Sequence, residues 1–291
     1  MIYNLGSINI DHIYRVPHFP APGETLLSDS YSKGLGGKGA NQSIAIARAG
    51  GQVMHIGAIG DDALWTRDNL AEAGVDTSGI SVLESATGHA IIYVDASGEN
   101  SIVLFEGANT LVSEGQISAA LATAKAGDWL LLQNEVNNGP FAAKLARAKG
   151  LKVAYVAAPF DAEKVHAMLP FVDLLSVNEG EVAMVCEAFG VSEEEIPVEK
   201  LLITRGSESI TYRDGANRYT QVVFKVDPVD TTGAGDTFMG YFLAQLDAGY
   251  ASQEALRMAA AAAALKVTKK GTSDAIPLLE DVILFIRNSN H

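Results

Sequence analysis

WLLLQ (129–133), PFAAKLARAK (140–149), KVAYVA (152–157), DAEKVHAML (161–169), VDLLSV (172–177), EGEVAMVCEAF (179–189) and LLIT (201–204) follow one another with only brief breaks. Short apolar runs alternate with longer stretches whose apolar residues recur every three to four positions. The first kind reads as buried strands, the second as amphipathic helices. Strand and helix in strict alternation predict a parallel sheet with helices on both faces. Working outward, residues 2–6 and 52–57 supply two more strands, and residues 43–49 and 62–73 two more helices. Residues 210–212 and 218–224 read as a hairpin; 237–246, 253–266 and 280–287 read as closing helices. The alanine run 259–264 marks a helix packed tightly against a neighbour. The expected core is an α/β sandwich over 1–9, 36–85 and 106–291. Residues 10–35 and 86–105 form a small β excursion, with strands at 26–35, 90–95 and 101–105. A sheet without covering helices needs a site to close over, or a partner chain, for its apolar face.

The chain has 291 residues, 48% hydrophobic and 19% charged, which is enough to bury a large core. Its formal net charge of −14 argues against a nucleic-acid surface or an anionic membrane as partner. Anionic small molecules stay open, because local N–H groups and one lysine outweigh a remote net charge. Cys186 is the only cysteine, in the apolar run 182–186, so it reads as a buried small hydrophobe in a protein of a reducing compartment. Residues 1–6 carry no basic region and are not read as a signal peptide, and no apolar run is long enough to span a membrane. The cytoplasm is the expected location. His12, His18, His55, His89, His166 and His291 show no metal-ligand spacing.

The chemistry is expected at DTTGAGDTF (230–238). Gly233, Ala234 and Gly235 open a helix, so their N–H groups and the positive end of the helix dipole form an anion site. Asp236 lies beside that site in the first turn. An isolated Asp there is usually just a favourable helix-terminal charge; next to an anion hole it suits a general base for a hydroxyl attacking a phosphoryl group. A second glycine-rich turn, GLGGKGANQ (34–42), also opens a helix. It fails the dinucleotide fingerprint because no buried strand precedes it, and the Walker pattern because Gly39 follows Lys38. Lys38 and Asn41 share a helix face and could hold a polyhydroxy substrate, with Gly37 allowing close approach. Asn9 and Asp11 follow the first strand's carboxyl end, where open α/β sheets bind ligands. Asn178, Glu179 and Glu181 follow another and could organise Mg²⁺ through water, or merely cap a helix. Thr204, Gly206 and Ser207 follow the next.

Five blocks together resemble the ribokinase family of carbohydrate kinases: GSINIDH (6–12), PGET (22–25), GGKGANQ (36–42), DTTGAGDTF (230–238) and VTKKG (267–271). The resemblance runs in order from about residue 2 to about residue 280, and the second-to-last block paired with GGKG is highly specific. It implies a three-layer α/β/α sandwich with a β-sheet lid, and ATP- and Mg²⁺-dependent phosphorylation of a sugar hydroxymethyl group, such as O5 of D-ribose. It implies Asp236 as base, with the amides of 233–235 receiving the phosphoryl charge. Asn9, Asp11, Gly37, Lys38, Asn41 and Glu135 match sugar-binding positions. Asn178 and Glu181 match the Mg²⁺ and phosphate element, and Thr204, Gly206 and Ser207 the nucleotide contacts. Asp230, the Thr232 carbonyl and the loop from Lys270 to Ser273 match a K⁺ site. The lid implies a homodimer. Departures cluster on the nucleotide half: Val156-Ala157 replaces Asn-Pro, Ala260 stands where Asn or His is usual, Ser209 replaces a glycine, and 191–200 is short. A fructose-like sugar, a keto-deoxy sugar acid or a nucleoside are alternative substrates, and a sugar-binding protein with a decayed nucleotide site is the non-enzymatic alternative.

Overall fold

In the computed structural model, which describes residues 1–289, one large sheet and one small one carry the chain. His291 lies outside the described residues. In chain order the first elements are β1 (Ile2–Leu5), β2 (Asn9–Arg15), β3 (Ser30–Gly36), α1 (Lys38–Arg48), β4 (Val53–Gly60), α2 (Leu64–Glu72) and β5 (Asp76–Leu83). Then come β6 (Gly88–Val94), β7 (Asn100–Phe105), α3 (Glu114–Ala120), β8 (Trp129–Leu132), α4 (Gly139–Ala148), β9 (Lys152–Val156) and α5 (Ala162–Met168). The remainder is β10 (Leu174–Asn178), α6 (Glu179–Phe189), β11 (Lys200–Arg205), β12 (Ser209–Asp214), β13 (Asn217–Val222), α7 (Ala234–Asp247), α8 (Ser252–Val267) and α9 (Leu279–Asn288).

The large sheet has nine strands in the order β13-β12-β11-β10-β9-β8-β1-β4-β5, parallel from β11 to β5 with an antiparallel hairpin at the other edge. Its inner strands, such as β1, β8 and β10, are largely apolar on both faces, as sheets covered twice must be. In β8, Trp129 and Leu131 enter one core and Leu130 and Leu132 the other. The first core packs under α1, α7 and α8, the second under α3 to α6, giving the expected three layers. Gly240 sets how closely α7 approaches α1, since a β-carbon there would stand 2.4 Å from the Ala45 Cβ. Alanines 259–262 and 264 are buried in the same layer, so α8 is the closely packed helix its composition implied.

The small sheet runs β3-β2-β6-β7. Here the structure corrects the expected boundaries. Residues 9–15 are a strand that periodicity did not reveal, because Asn9 and Asp11 are buried polar residues on the face where alternation expects apolar ones. β3 begins at Ser30 and not at residue 26; Leu27 is almost fully exposed. The segment 191–200 contains only a 3₁₀ turn at Glu193–Glu195, in keeping with its shortness.

Candidate active site

Strand order reverses beside β1, whose neighbours β4 and β8 lead the chain in opposite directions. At such a switch point the loops beyond the carboxyl ends diverge and leave a crevice. The loop after β1 brings Ser7 and Asn9 there, and the loop after β8 brings Glu135. The two are tied together by the Ser7 hydroxyl, which donates to Glu135 Oε2. The N-terminus of α1 closes the third side. Gly37 takes φ 93°, and a β-carbon on it would press within 2.8 Å of the Ser7 carbonyl oxygen. That approach lets the Lys38 N–H donate to Glu135 Oε2 at 3.2 Å, while Lys38 Nζ stands 3.5 Å from Glu135 Oε1.

Asp236 arrives from α7. Asn41 Nδ2 donates to its Oδ2 at 3.1 Å and Gln42 Nε2 to its Oδ1 at 2.9 Å. Burial pushes its carboxyl above the ordinary range, against the pull of Lys38 and the two amides. Asp11 is buried nearby; burial, then the charge of Glu135, raise its pKa to about 7, with Lys38 opposing. Burial works against the Lys38 ammonium, yet Glu135 and Asp236 hold its pKa above the lysine norm. Three carboxylates around one lysine make a site that favours keeping a proton. Among the described residues, Asn41 Oδ1 is buried without a hydrogen-bond partner.

Behind Asp236 runs a chain of amides that composition alone could not assign. Gln133 Nε2 donates to Gln42 Oε1 at 2.7 Å and to Asn4 Oδ1 at 3.0 Å. Asn4 Nδ2 in turn donates to the Ser43 hydroxyl and to the Gly39 carbonyl, both at 2.8 Å. Ser43 meets His55 Nδ1 at 2.8 Å, and His55 Nε2 meets the Gly6 carbonyl at 3.1 Å. Burial lowers the His55 pKa to about 4, so the ring is neutral and its two nitrogens play opposite roles. Gln133 donates in both directions, toward Asn4 and toward Gln42, so the Gln42 carbonyl is already taken. Only its NH₂ can face Asp236.

Gly233 caps α7 in the left-handed conformation at φ 74°. Of the expected amides, that of Ala234 is spent on the Thr231 carbonyl at 3.2 Å, whereas the N–H groups of Gly233, Gly235 and Asp236 find no backbone acceptor among the described residues. Gly233 and Gly235 of the expected trio thus keep free N–H groups, and Asp236 adds its own beside them.

Asn178 and Thr204 pair side by side at the ends of β10 and β11. Asn178 and Glu181 form a capping box, the Asn178 side chain accepting from the Glu181 N–H and Glu181 Oε2 from the Asn178 N–H, each at 2.8 Å. This leaves Glu181 Oε1 uncommitted; burial raises the Glu181 pKa, and Lys38 tempers it. Gly206 and Ser207 lie exposed on the β11–β12 turn, while Ala260 is buried in the core. Of the residues expected at the K⁺ site, Asp230 and Ser273 are engaged with backbone groups of the protein. Asp230 accepts from the N–H groups of Thr232 and Gly271, each at 3.0 Å, the Ser273 hydroxyl donates to the Leu35 carbonyl, and Lys270 is exposed. Among the described residues, no cluster of three or more His, Cys, Asp or Glu side chains is placed to hold a metal. A cavity of about 710 Å³ lined by Asn9, Asn109, Asn134, Glu135 and Lys164 opens between the two sheets.

The chain matches the model of the pfkB family of carbohydrate kinases over residues 1–279. It belongs to that family. The ribokinase of Haemophilus influenzae is 37% identical, over 98% of each chain. A crystal structure of Cryptococcus neoformans ribokinase in complex with ADP superposes with a TM-score of 0.83 at 34% identity, covering 97% of this chain and 98% of that one. Arabidopsis thaliana ribokinase complexed with ribose and ATP gives 0.84 at 28% identity, over 98% of each chain.

In this pfkB-family kinase, the residues that sequence reasoning did not reach are the supporting ones. Gln42 lies within a quoted motif, and its spacing to Asn41 was visible. Gln133 and Asn109 gave no such signal. Asn109 Nδ2 donates to Asn9 Oδ1 at 2.7 Å and its Oδ1 accepts from the Ile8 N–H, which fixes how Asn9 faces the cavity. Among the described residues, no helix is long and apolar enough to cross a membrane.

Proposed function

We propose that this kinase transfers the γ-phosphoryl group of ATP to the hydroxymethyl oxygen of a sugar, D-ribose at O5 foremost. The observation that carries the reading is the Asp236 carboxylate, held by the Asn41 and Gln42 amides and set beside free N–H groups at a helix N-terminus. Its raised pKa makes it a better proton acceptor than an exposed aspartate. Asp236 would take the hydroxyl proton as the oxygen bonds to phosphorus and the bond to the departing ADP breaks. The Gly235 and Asp236 amides would bear the equatorial charge. Asn9, Asp11, Asn41, Lys38 and Glu135 would hold the sugar hydroxyls; the unpartnered Asn41 Oδ1 suits a hydroxyl donor. The residues favour a neutral polyol, since the charges lining this pocket are mostly carboxylates.

Thr204, Gly206 and Ser207 would line the nucleotide side. Glu181 Oε1 and Asn178 fit a hydrated Mg²⁺, which keeps most of its water and phosphate ligands and so needs no cage of side chains. That ion would neutralise charge on the phosphates. Residues 10–35 and 86–105 would form a lid, and its edge strand β7 carries Ile102, Val103, Leu104 and Phe105 exposed, the last two at the cavity, the kind of surface a homodimer would cover. A single cysteine fits a cytoplasmic setting.

A coupled ADP-release assay with ribose and ATP·Mg²⁺ tests the function. Turnover is expected on ribose above other sugars; none on ribose or on a panel of sugars, sugar acids and nucleosides refutes it. Light scattering checks the dimer, and Phe105→Lys should shift it toward monomer.

A further inference from the structure

Lys266 is the only fully buried lysine among the described residues, although it sits in the last turn of α8, where lysines ordinarily reach solvent. Its Nζ donates to the Asp230 carbonyl at 2.9 Å and stands 3.9 Å from Asp230 Oδ1. The same turn is pinned to the end of α8 by the Val229 and Asp230 N–H groups, which both donate to the Val267 carbonyl, at 2.7 and 3.1 Å. Lys266 thus fixes the backbone that leads into Gly233 and α7, and its charge interacts with those of Asp230 and Asp236.

A monovalent metal ion would have to use this same carboxylate. Two N–H groups and the ammonium already serve Asp230, and its carbonyl oxygen is committed to Nζ. The pair is neutral as it stands, so an added cation would leave an uncompensated positive charge in a partly buried place. An ammonium group is close to K⁺ in size and charge and can do the same work: neutralise Asp230, hold the turn, add positive potential. We propose that Lys266 is the resident cation of this enzyme, a positioning residue that replaces a monovalent metal ion, so that turnover needs none. The proposal rests on the kinase reading above.

The test varies the balancing cation among tetramethylammonium, Na⁺ and K⁺ at constant ionic strength and measures ribose phosphorylation and thermal melting of the full chain. Wild-type kcat should change by less than about twofold across the salts, whereas stimulation by K⁺ of about fivefold or more, the low end of coupling between a bound ion and a reaction, overturns the proposal. Lys266→Met should lose roughly tenfold in kcat, less than the loss of an anion-hole donor, with the sugar KM little changed. K⁺ or NH₄⁺ should restore much of that loss; Lys266→Met as active as wild type in tetramethylammonium overturns the proposal. If Lys266→Met does not fold, the wild-type salt series decides. If no sugar is phosphorylated, the kinase reading has failed and melting decides: a K⁺-specific rise in wild-type Tm means an ion binds and overturns the proposal, and identical curves sustain it.

Discussion

The two halves of the cleft are built on different plans. The half between β1, β8, α1 and α7 is buried and crowded: Asp11, Glu135 and Asp236 surround Lys38, and a connected chain of amides backs the arrangement. The half at the ends of β10 and β11 is open; Asn178, Gly206 and Ser207 are exposed, and its polar groups are satisfied by a helix cap without any ligand. Burial makes geometry expensive to disturb, because each polar group left without a partner costs its full desolvation. The crowded half is therefore preorganised, and substitutions there should damage rate. The open half should tolerate change and show it mainly as nucleotide affinity.

The sharpest way to break this contrast is Asp236→Asn, expected to cost roughly 10²–10⁴ in kcat if Asp236 is the base. Its melting temperature should hold or rise, since a buried carboxylate is removed. A near-normal rate would strip the crowded half of its central role. Gln42→Leu comes next. It leaves Asp236 Oδ1 without its 2.9 Å donor and takes away one of the two acceptors of Gln133 Nε2. About 10–100-fold in kcat should go with the misplaced carboxylate, and about 1–3 kcal/mol of stability in urea unfolding with the orphaned groups. A sugar KM that moves while kcat stays would show that Gln42 shapes the pocket and does not position Asp236.

The same division governs what the sequence disclosed. The alternation over 129–204 gave the parallel sheet, because strands covered on both faces are continuously apolar and cannot be mistaken for surface. The GGKG and GAGD turns located the switch-point residues, since tight backbone approach leaves glycines behind, as at Gly37. β2 escaped because its buried positions Asn9 and Asp11 are polar; function overrode the pattern that marks a strand. The Gln133, Asn4 and His55 chain escaped because it joins residues far apart in sequence, and nothing in a lone glutamine announces its partner. Asn178 and Glu181 were legible as a cap or as a metal element; the capping box is there, and one Glu181 oxygen remains for the other role. Nothing in the helical pattern marked Lys266 as buried, since a lysine at a helix end ordinarily reaches solvent.

A pH series sharpens the comparison at Asp11. Its pKa is raised from 3.8 to about 7, so the fold favours the protonated form; that stabilisation is full below about pH 4 and is lost as pH rises through 7. Apo stability should fall across that interval. Asp11→Asn should relieve it, gaining about 1–3 kcal/mol at pH 8, in the manner of other active-site substitutions that trade function for stability. The ionised carboxylate is the form that accepts sugar hydroxyls, so kcat/KM for ribose should climb through about pH 7 in the wild type and flatten in Asp11→Asn. A profile with no inflection near 7 would mean that Asp11 does not titrate in the working range.

The smallest effect should come from the open half. Glu181→Gln keeps a side-chain oxygen to accept from the Asn178 N–H, so the helix cap survives and stability should change by no more than about 0.5 kcal/mol. It removes the negative charge that the uncommitted oxygen would offer a hydrated Mg²⁺. The apparent Mg²⁺ requirement should rise about tenfold, the low end for a residue that acts on a metal through its outer ligands, with the sugar KM unchanged. Glu181→Ala adds loss of the cap, about 1 kcal/mol, and the two variants together separate the structural part from the ionic one. If Glu181→Gln instead raises the sugar KM, the halves are coupled through Lys38, whose ammonium already responds to Glu181, and the open half is less independent than its exposure implies.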